Sequence, residues 1–476
     1  MQAFEFRPQP GFQEKVLASR ADITIIGGAA GAGKSYVELL AAARHVQPHR
    51  GMNGKLYRPP AGFAAVFFRR TLKQIRVPGG LWDDARKIYP LLGGRPNQTD
   101  LEYTWPTGKI KFAGLEHETS VLDWHGSQIP LLLFDELPTF TSRQFWYMQS
   151  RNRSACGIRP YTIASCNPDA DSWVADLIAW WIEQNPESET YGLPIPEREG
   201  VLRYFTRQGD ELVWGNTVDE VVAQVPGLKP EMVNSLTFIP GRLDENKILE
   251  KADPTYRAKL MAMSRVERAR LLGGNWKVRP VKGEVFKRNE VTMLSVLPTD
   301  IETVVRRWDL AASEPTEKRP SPDWTCGVKM GKRANGRYVI MHAEFAQKRS
   351  NAVRELVKRT AINDGREVKI IVPQDPGQAG KDQVQSYAEL LDGFSIEEER
   401  ETGKKETRAE PFSAQWQANN VDVLRGPWND ELFDQLEGFP DPQVHDDAVD
   451  ACAGAHKALA VGIDMADALM GLVRGG

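Results

Sequence analysis

Apolar residues in the first half of the chain come in short unbroken runs with helical patterns between them, the alternation of an α/β domain. Asp22–Gly27 (DITIIG), Ala64–Phe68 (AAVFF), Pro130–Phe134 (PLLLF) and Tyr161–Ser165 (YTIAS) read as strands, and Lys34–Val46 as a helix. Runs without polar alternation suit a mostly parallel sheet covered by helices on both faces. This domain is expected over residues 1–237, with a Pro-, Glu- and Gly-rich loop at 186–200. From 238 to 280 the pattern changes to loop-like FIPGRLDENKIL and then to a basic helical stretch, YRAKLMAMSRVERARLLGGNW, which reads as a linker.

A second α/β pattern fills 281–476. Val304–Leu310, Trp324–Met330, Arg337–Phe345 and Val368–Val372 read as strands, the middle two joined by the hairpin signal GKRANG. Helices are expected at Asn351–Ile362, Gln383–Leu391 and His445–Ala460. No internal repeat or low-complexity tract interrupts either half.

The length of 476 residues implies roughly two to three domains. A net charge of −3 gives no global basic signature, so any nucleic-acid contact must come from local patches. The cysteines Cys156, Cys166, Cys326 and Cys452 form no CxxC pair, which argues against structural zinc. The start, MQAFEFRPQPGFQEK, lacks the apolar core of a signal peptide. No run approaches the ~18 apolar residues of a membrane span, so no membrane partner is expected and a reducing cytoplasm is the natural compartment.

Gly28-Ala29-Ala30-Gly31-Ala32-Gly33-Lys34-Ser35 fits G-x-x-x-x-G-K-[ST] and sits between a strand and a helix. Gly28, Gly31 and Gly33 let successive backbone N–H groups turn toward phosphate oxygens, and the helix N-terminus adds positive charge. Lys34 is then expected on the β- and γ-phosphates of ATP and Ser35 on Mg²⁺. The strand in LLLFDE ends in two acids: Asp135 suits the metal and Glu136 suits the attacking water. Asn167, in Ser165-Cys166-Asn167-Pro168, stands where a strand end can sense the γ-phosphate. Gln13, beside Phe12, is a candidate reader of the adenine edge. Arg69, Arg70, Arg143, Arg151 and Arg153 are candidates for an arginine on the phosphates, with no local feature to choose among them.

In the second half, Asp309 ends one strand, Asp375 follows another, and Asp446 and Asp447 open the last helix. Strand with Asp, hairpin, helix, strand with Asp and late helix with Asp is the element order of an RNase H-like fold. Such acids can converge to hold two divalent cations ~4 Å apart for phosphodiester cleavage, and carboxylate ligands favour Mg²⁺ or Mn²⁺. Asp447 is the preferred third ligand, with Asp446 left open because Asp450 is one turn from either. Asp323 is an accessory ligand candidate for which a capping or turn role is preferred, and His445 is read as a helix-start residue ahead of a ligand. Lys381 and the segment Lys404-Lys405-Glu406-Thr407-Arg408 are candidate phosphate contacts.

GGAAGAGKS, LLLFDE, ASCNP, FIPGRLDENK, WDLA, QDPGQAGK, KKETRAEPFSA and HDDAVDA occur in this order across nearly the whole chain. The set resembles the large terminase subunits of tailed double-stranded DNA bacteriophages. The resemblance implies a P-loop ATPase domain fused to an RNase H-like nuclease, pumping DNA into a procapsid and cutting concatemers. It implies double-stranded DNA, a portal protein, a small terminase subunit and the procapsid as partners, and a homo-oligomeric ring on the portal, expected as a pentamer. It places the protein in the host cytoplasm and transiently on the procapsid, outside the mature virion. The family's middle nuclease acid can be Glu; here it is Asp375. The competing reading is a helicase or remodelling ATPase without nuclease activity, which would need a second ATPase-like domain where this chain has acids at strand ends.

Overall fold

The computed structural model describes residues 6–50, 56–311, 313–316, 322–374, 378–400 and 403–474. The chain divides into two compact units, Met1–Leu260 with Arg268–Val278, and Met261–Glu267 with Arg279–Gly476.

The first unit is built on β1 (Ile23–Gly28), β2 (Phe63–Arg69), β3 (Arg95–Asn97), β4 (Glu102–Trp105), β5 (Gly108–Gly114), β6 (Leu131–Phe134), β7 (Tyr161–Ser165), β8 (Arg203–Gln208), β9 (Glu211–Gly215) and β10 (Asn234–Gly241). They form one sheet in the order β9-β8-β10-β1-β7-β6-β2-β5-β4-β3. The pairs from β10 through β5 are parallel, and both edges are antiparallel. The unbroken apolar runs follow from burial on both faces: on β2, Ala65 and Phe67 join one core cluster, Val66 and Phe68 the other. Each such side chain contributes about 1.5–3 kcal/mol on burial. One face also carries α1 (Phe12–Ala18) and α2 (Lys34–Ala43), through Phe12, Val16, Val37 and Leu39.

The segment read as a linker differs from that expectation. Phe238–Gly241 completes β10, paired directly with β1, and Trp276 packs edge-on against Phe238 in the same core. Pro240 and Gly241 disguised this strand as a loop; they lie at its end, where Ala29 N–H reaches Gly241 O at 3.0 Å.

The second unit contains β11 (Thr292–Leu294), β12 (Ile301–Asp309), β13 (Thr325–Arg333), β14 (Tyr338–Ala346), β15 (Lys369–Gln374), β16 (Ile396–Arg400) and β17 (Val421–Leu424), in the order β11-β17-β14-β13-β12-β15-β16. β12, β13 and β14 run antiparallel as a meander, and β15 lies parallel to β12. One face packs α3 (Ser350–Asp364) and α4 (Gln378–Leu390). The other packs α5 (Lys405–Gln417), α6 (Asn429–Gly438) and α7 (Asp447–Arg474) around Phe412, Trp416, Leu432 and Cys452. This is the RNase H-like arrangement. No helix among the described residues is long and apolar enough to cross a membrane.

Candidate functional site

The nucleotide cradle is the turn between β1 and α2. Gly28, Gly31 and Gly33 all have positive φ, at 111°, 78° and 81°. At Gly28 the requirement is also steric, because a Cβ would stand 2.5 Å from Gly241 O. Lys34 Nζ donates to Gly28 O at 3.2 Å, Ala29 O at 2.9 Å and Asn167 Oδ1 at 2.8 Å. Burial lowers its ammonium to about 8, with Cys166, Asp135, Glu38 and Glu136 pulling the other way. A cavity of about 310 Å³ opens above the turn, and its walls include Ser35, Arg69, Asp135, Glu136 and Asn167.

Asp135 follows β6, with its backbone N–H tied to Phe68 O at 3.0 Å. Its Oδ2 accepts from Arg69 Nε at 2.7 Å and its Oδ1 from Ser165 Oγ at 2.8 Å. Glu136 adopts φ 63°, a left-handed conformation costly for a non-glycine residue. That turn directs its carboxylate to Arg69 Nη1, 2.8 Å away. The other arginine candidates with described partners are engaged elsewhere: Arg70 with Gln144, Arg151 over Tyr147, and Arg153 with Gly126 and Ser127 carbonyls.

Gln13 is buried, and its amide donates to Gly33 O at 3.3 Å while accepting from Gln9 N–H at 2.8 Å. Asn246 was not anticipated. It caps the helix Lys247–Ala252 by accepting from Leu249 N–H at 3.2 Å, and its Nδ2 donates to Gly31 O at 2.6 Å. Its sequence signal was an ordinary Asn before a helical pattern; nothing local places it beside a loop 215 residues away.

In the second unit Asp309 ends β12 opposite Cys326 on β13. Burial pushes the Cys326 thiol well above its usual range, and the charges of Asp309 and Asp447 add to the effect, so both acids stand near this buried cysteine. Asp447 Oδ2 accepts from Trp324 N–H at 3.1 Å. Burial raises the Asp447 carboxyl, opposed by that bond and by Lys405, and reinforced by Asp323 and Asp446. His445 Nδ1 lies 3.8 Å from Asp447 Oδ2.

Asp375 and the side chain of Lys381 lie outside the described residues; β15, which leads to Asp375, neighbours β12 in parallel. Among the described residues no three His, Cys, Asp or Glu side chains close into a cage for a metal ion. Asp309 and Asp447, the two acids near Cys326, are carboxylates, the donor type Mg²⁺ and Mn²⁺ prefer.

Residues 25–293 match the family described as "Terminase large subunit, T4likevirus-type, N-terminal", and residues 306–459 match "Terminase RNaseH-like domain". The chain belongs to the terminase large-subunit family. It carries that family's ATPase and RNase H-like nuclease domains. No curated protein matches its sequence. The large terminase of a thermophilic bacteriophage shares the fold at 14% identity, with a TM-score of 0.56 over 91% of each chain. The same phage protein crystallised with ADP gives 16% identity and a TM-score of 0.55, over 92% of this chain and 93% of that one. Its complex with ATP-gamma-S gives 15% and 0.52, over 93% and 94%.

One terminase segment departs from the expected picture. Lys405 and Arg408, read from the sequence as candidate phosphate contacts, lie on α5 and are turned onto α7. Lys405 Nζ stands 2.7 Å from Asp446 Oδ1 and 2.6 Å from Asp450 Oδ2, and Arg408 Nη2 stands 2.5 Å from Asp450 Oδ1. Two helices that both open with charge are neutralised against each other, which the one-dimensional reading of a polar stretch could not reveal.

Proposed function

We propose that this chain is the motor of viral genome packaging: it hydrolyses ATP to translocate double-stranded DNA into the procapsid and cuts concatemeric DNA with a two-metal endonuclease. The observation that carries this reading is a pair of chemically distinct centres in separate units, the glycine cradle around Lys34 in one and the acids near Cys326 in the other. The thermophilic phage terminase complexes with ADP and ATP-gamma-S support nucleotide as the ligand of the first.

Gly28, Gly31 and Gly33 present backbone N–H groups to the phosphates, and Lys34 exchanges its carbonyl and Asn167 partners for the β- and γ-oxygens. Ser35 and Asp135 would hold Mg²⁺, which supplies charge neutralisation on the phosphates. Glu136 orients and polarises the attacking water, and Arg69 is the arginine placed to reach the γ-phosphate. Asn167 reports phosphate occupancy to β7. Gln13 fixes the loop through Gly33, and its role at the adenine edge is part of this proposal.

Asp309, Asp447 and Asp375 would hold the nuclease cations, which activate water and stabilise the leaving oxygen. The crowding of Asp323 and Asp446 onto Asp447 is a charge arrangement that a cation relieves. Asp446 is assigned a secondary place, since Lys405 already engages it. The partners under this reading are the portal protein, the small terminase subunit, the procapsid and further copies in a ring, in the host cytoplasm.

The test separates the two centres. Lys34→Ala or Glu136→Ala should abolish ATP turnover and leave Mn²⁺-dependent cutting of plasmid DNA; Asp375→Ala should do the reverse. A single substitution that removed both activities from a folded protein would break the two-centre reading, and ATP-driven strand separation without cutting would favour a helicase.

A further inference from the structure

Two carbonyls of the nucleotide cradle are gripped by side-chain amides. Asn246 Nδ2 donates to Gly31 O at 2.6 Å, and Gln13 Nε2 donates to Gly33 O at 3.3 Å. The direction of the Asn246 amide follows from its other bonds. Its Oδ1 accepts from Gln9 Nε2 at 2.8 Å and from Leu249 N–H at 3.2 Å, so the oxygen is engaged and the nitrogen is left to face the loop. Gln9 closes the circuit, because its backbone N–H donates to Gln13 Oε1 at 2.8 Å. Three amide side chains, two from the start of the chain and one from the segment after β10, thus form one run of hydrogen bonds along the carbonyls of the loop.

A peptide unit is planar and trans, so its C=O and the next residue's N–H point in opposite directions. Holding Gly31 O and Gly33 O therefore turns the N–H groups of Ala32 and Lys34 away from the amides, and both residues line the cavity. These two N–H groups carry more weight because two others of the loop are already spent. Ala29 N–H is bonded to Gly241 O at 3.0 Å and Ala30 N–H to Leu271 O at 2.7 Å. The segment that carries Asn246 also packs on the loop: a Cβ at Gly31 would stand 2.7 Å from Tyr256, 2.8 Å from Leu249 and 3.0 Å from Leu243. Asn246 itself is buried, which shields its bond to Gly31 O from water.

We propose that Asn246 is a positioning residue of the nucleotide site: its amide, held in direction by Gln9, fixes the Gly31–Ala32 peptide so that Ala32 N–H is presented to a phosphate oxygen. This rests on the ATPase reading above. Asn246 acts through the backbone of the loop, so its effect falls on the phosphates and is blind to the base. Its second task, capping the helix Lys247–Ala252, uses the side-chain oxygen alone and can be separated from the first.

The test uses the full-length chain and measures how well ATP and inorganic triphosphate displace a fluorescent ATP analogue. Asn246→Ser keeps a neutral capping oxygen for Leu249 N–H but is too short to reach Gly31 O. It should weaken ATP and triphosphate by the same factor, about fivefold, the worth of one hydrogen bond, with an unchanged melting temperature in the absence of nucleotide. Gln9→Met removes the group that aims the amide and touches neither Gly31 nor Gly33. It should weaken both ligands about twofold, and should cost nothing further when added to Asn246→Ser. Wild-type affinity in Asn246→Ser, a loss for ATP that triphosphate does not share, a loss matched by a fall in melting temperature, or additive losses in the double variant would each overturn the proposal. Gln9→Met alone, at wild-type affinity, would overturn it should the serine variant fail to fold. A wild-type chain that binds neither ligand would overturn the ATPase reading as well, whereas a wild type that binds both, with a serine variant equally tight, overturns this inference alone.

Discussion

Arg69 Nη1 stands 2.8 Å from Glu136 Oε2, while Nε and Nη2 of the same guanidinium each stand 2.7 Å from Asp135 Oδ2. One arginine therefore spans both acids of the cradle, from the end of the strand adjacent to theirs. With the guanidinium in place, two carboxylates can face the same cavity with their repulsion offset, and under the proposed function the cation would meet γ-phosphate charge.

The first prediction follows from that bridge. Arg69→Ala should lower ATP turnover by about 100-fold, the range seen when one preorganised charge donor is lost. Arg69→Lys should recover only part, because a point charge cannot bond both acids with the fork geometry of a guanidinium. DNA cutting should be unchanged in both. Steady-state ATPase assays decide it, and full turnover in Arg69→Ala would remove this residue from the site.

The second prediction concerns the helix start at Asp446 and Asp447. Lys405 already neutralises Asp446, whereas Asp447 lies against Trp324 N–H, near Asp309's partner Cys326. Asp447→Ala should abolish Mn²⁺-dependent cutting; Asp446→Ala should reduce it by less than about tenfold. Plasmid cleavage time courses measure both, and equal losses would mean that Lys405 releases Asp446 when metal arrives.

The third prediction tests the cradle's backbone. A methyl group at Gly28 would meet Gly241 O at 2.5 Å, and the φ of 111° is one that L side chains rarely adopt. Gly28→Ala should cost about 1–3 kcal/mol of stability from strain and weaken nucleotide binding by moving the loop. Melting temperature and fluorescent-nucleotide titration report the two effects; neither changing would mean the loop relaxes freely at this point.

How much of this was readable beforehand depended on whether the signal was local. AAVFF and PLLLF announced central strands because both faces are buried, and GGAAGAGKS placed the cradle because phosphate binding demands those glycines in sequence. β16, IEEER, was invisible: an edge strand with mostly exposed positions loses the apolar pattern that marks a strand. β5, GKIKFAG, was missed because lysines alternate with its buried Ile110 and Phe112. Asn246 and the Lys405–Asp446 bond were out of reach for another reason. Each gains its meaning from a contact made across the fold, and no window of neighbouring residues contains it.

The last prediction concerns pH. Burial alone would raise the Asp364 carboxyl, but Arg306, bonded through Nε at 2.6 Å and Nη2 at 2.9 Å, and Lys329 at 3.1 Å overcome it and hold the acid below its ordinary value. A depressed acid adds stability that is fully present above its unfolded pKa of about 3.9 and is lost as pH falls through the lower folded value. Arg306 is 1% exposed, so Asp364→Asn at neutral pH leaves a buried cation without its counter-charge, at a cost of about 3–5 kcal/mol. Hydrogen exchange at β12 amides should show that deficit at pH 7, and the gap between variant and wild type should narrow as the solution is made acid, because the wild-type carboxylate then takes up its proton and stops contributing. A gap that stays constant across the same range would assign the loss to altered packing around α3, with the charge of Asp364 playing no part in it.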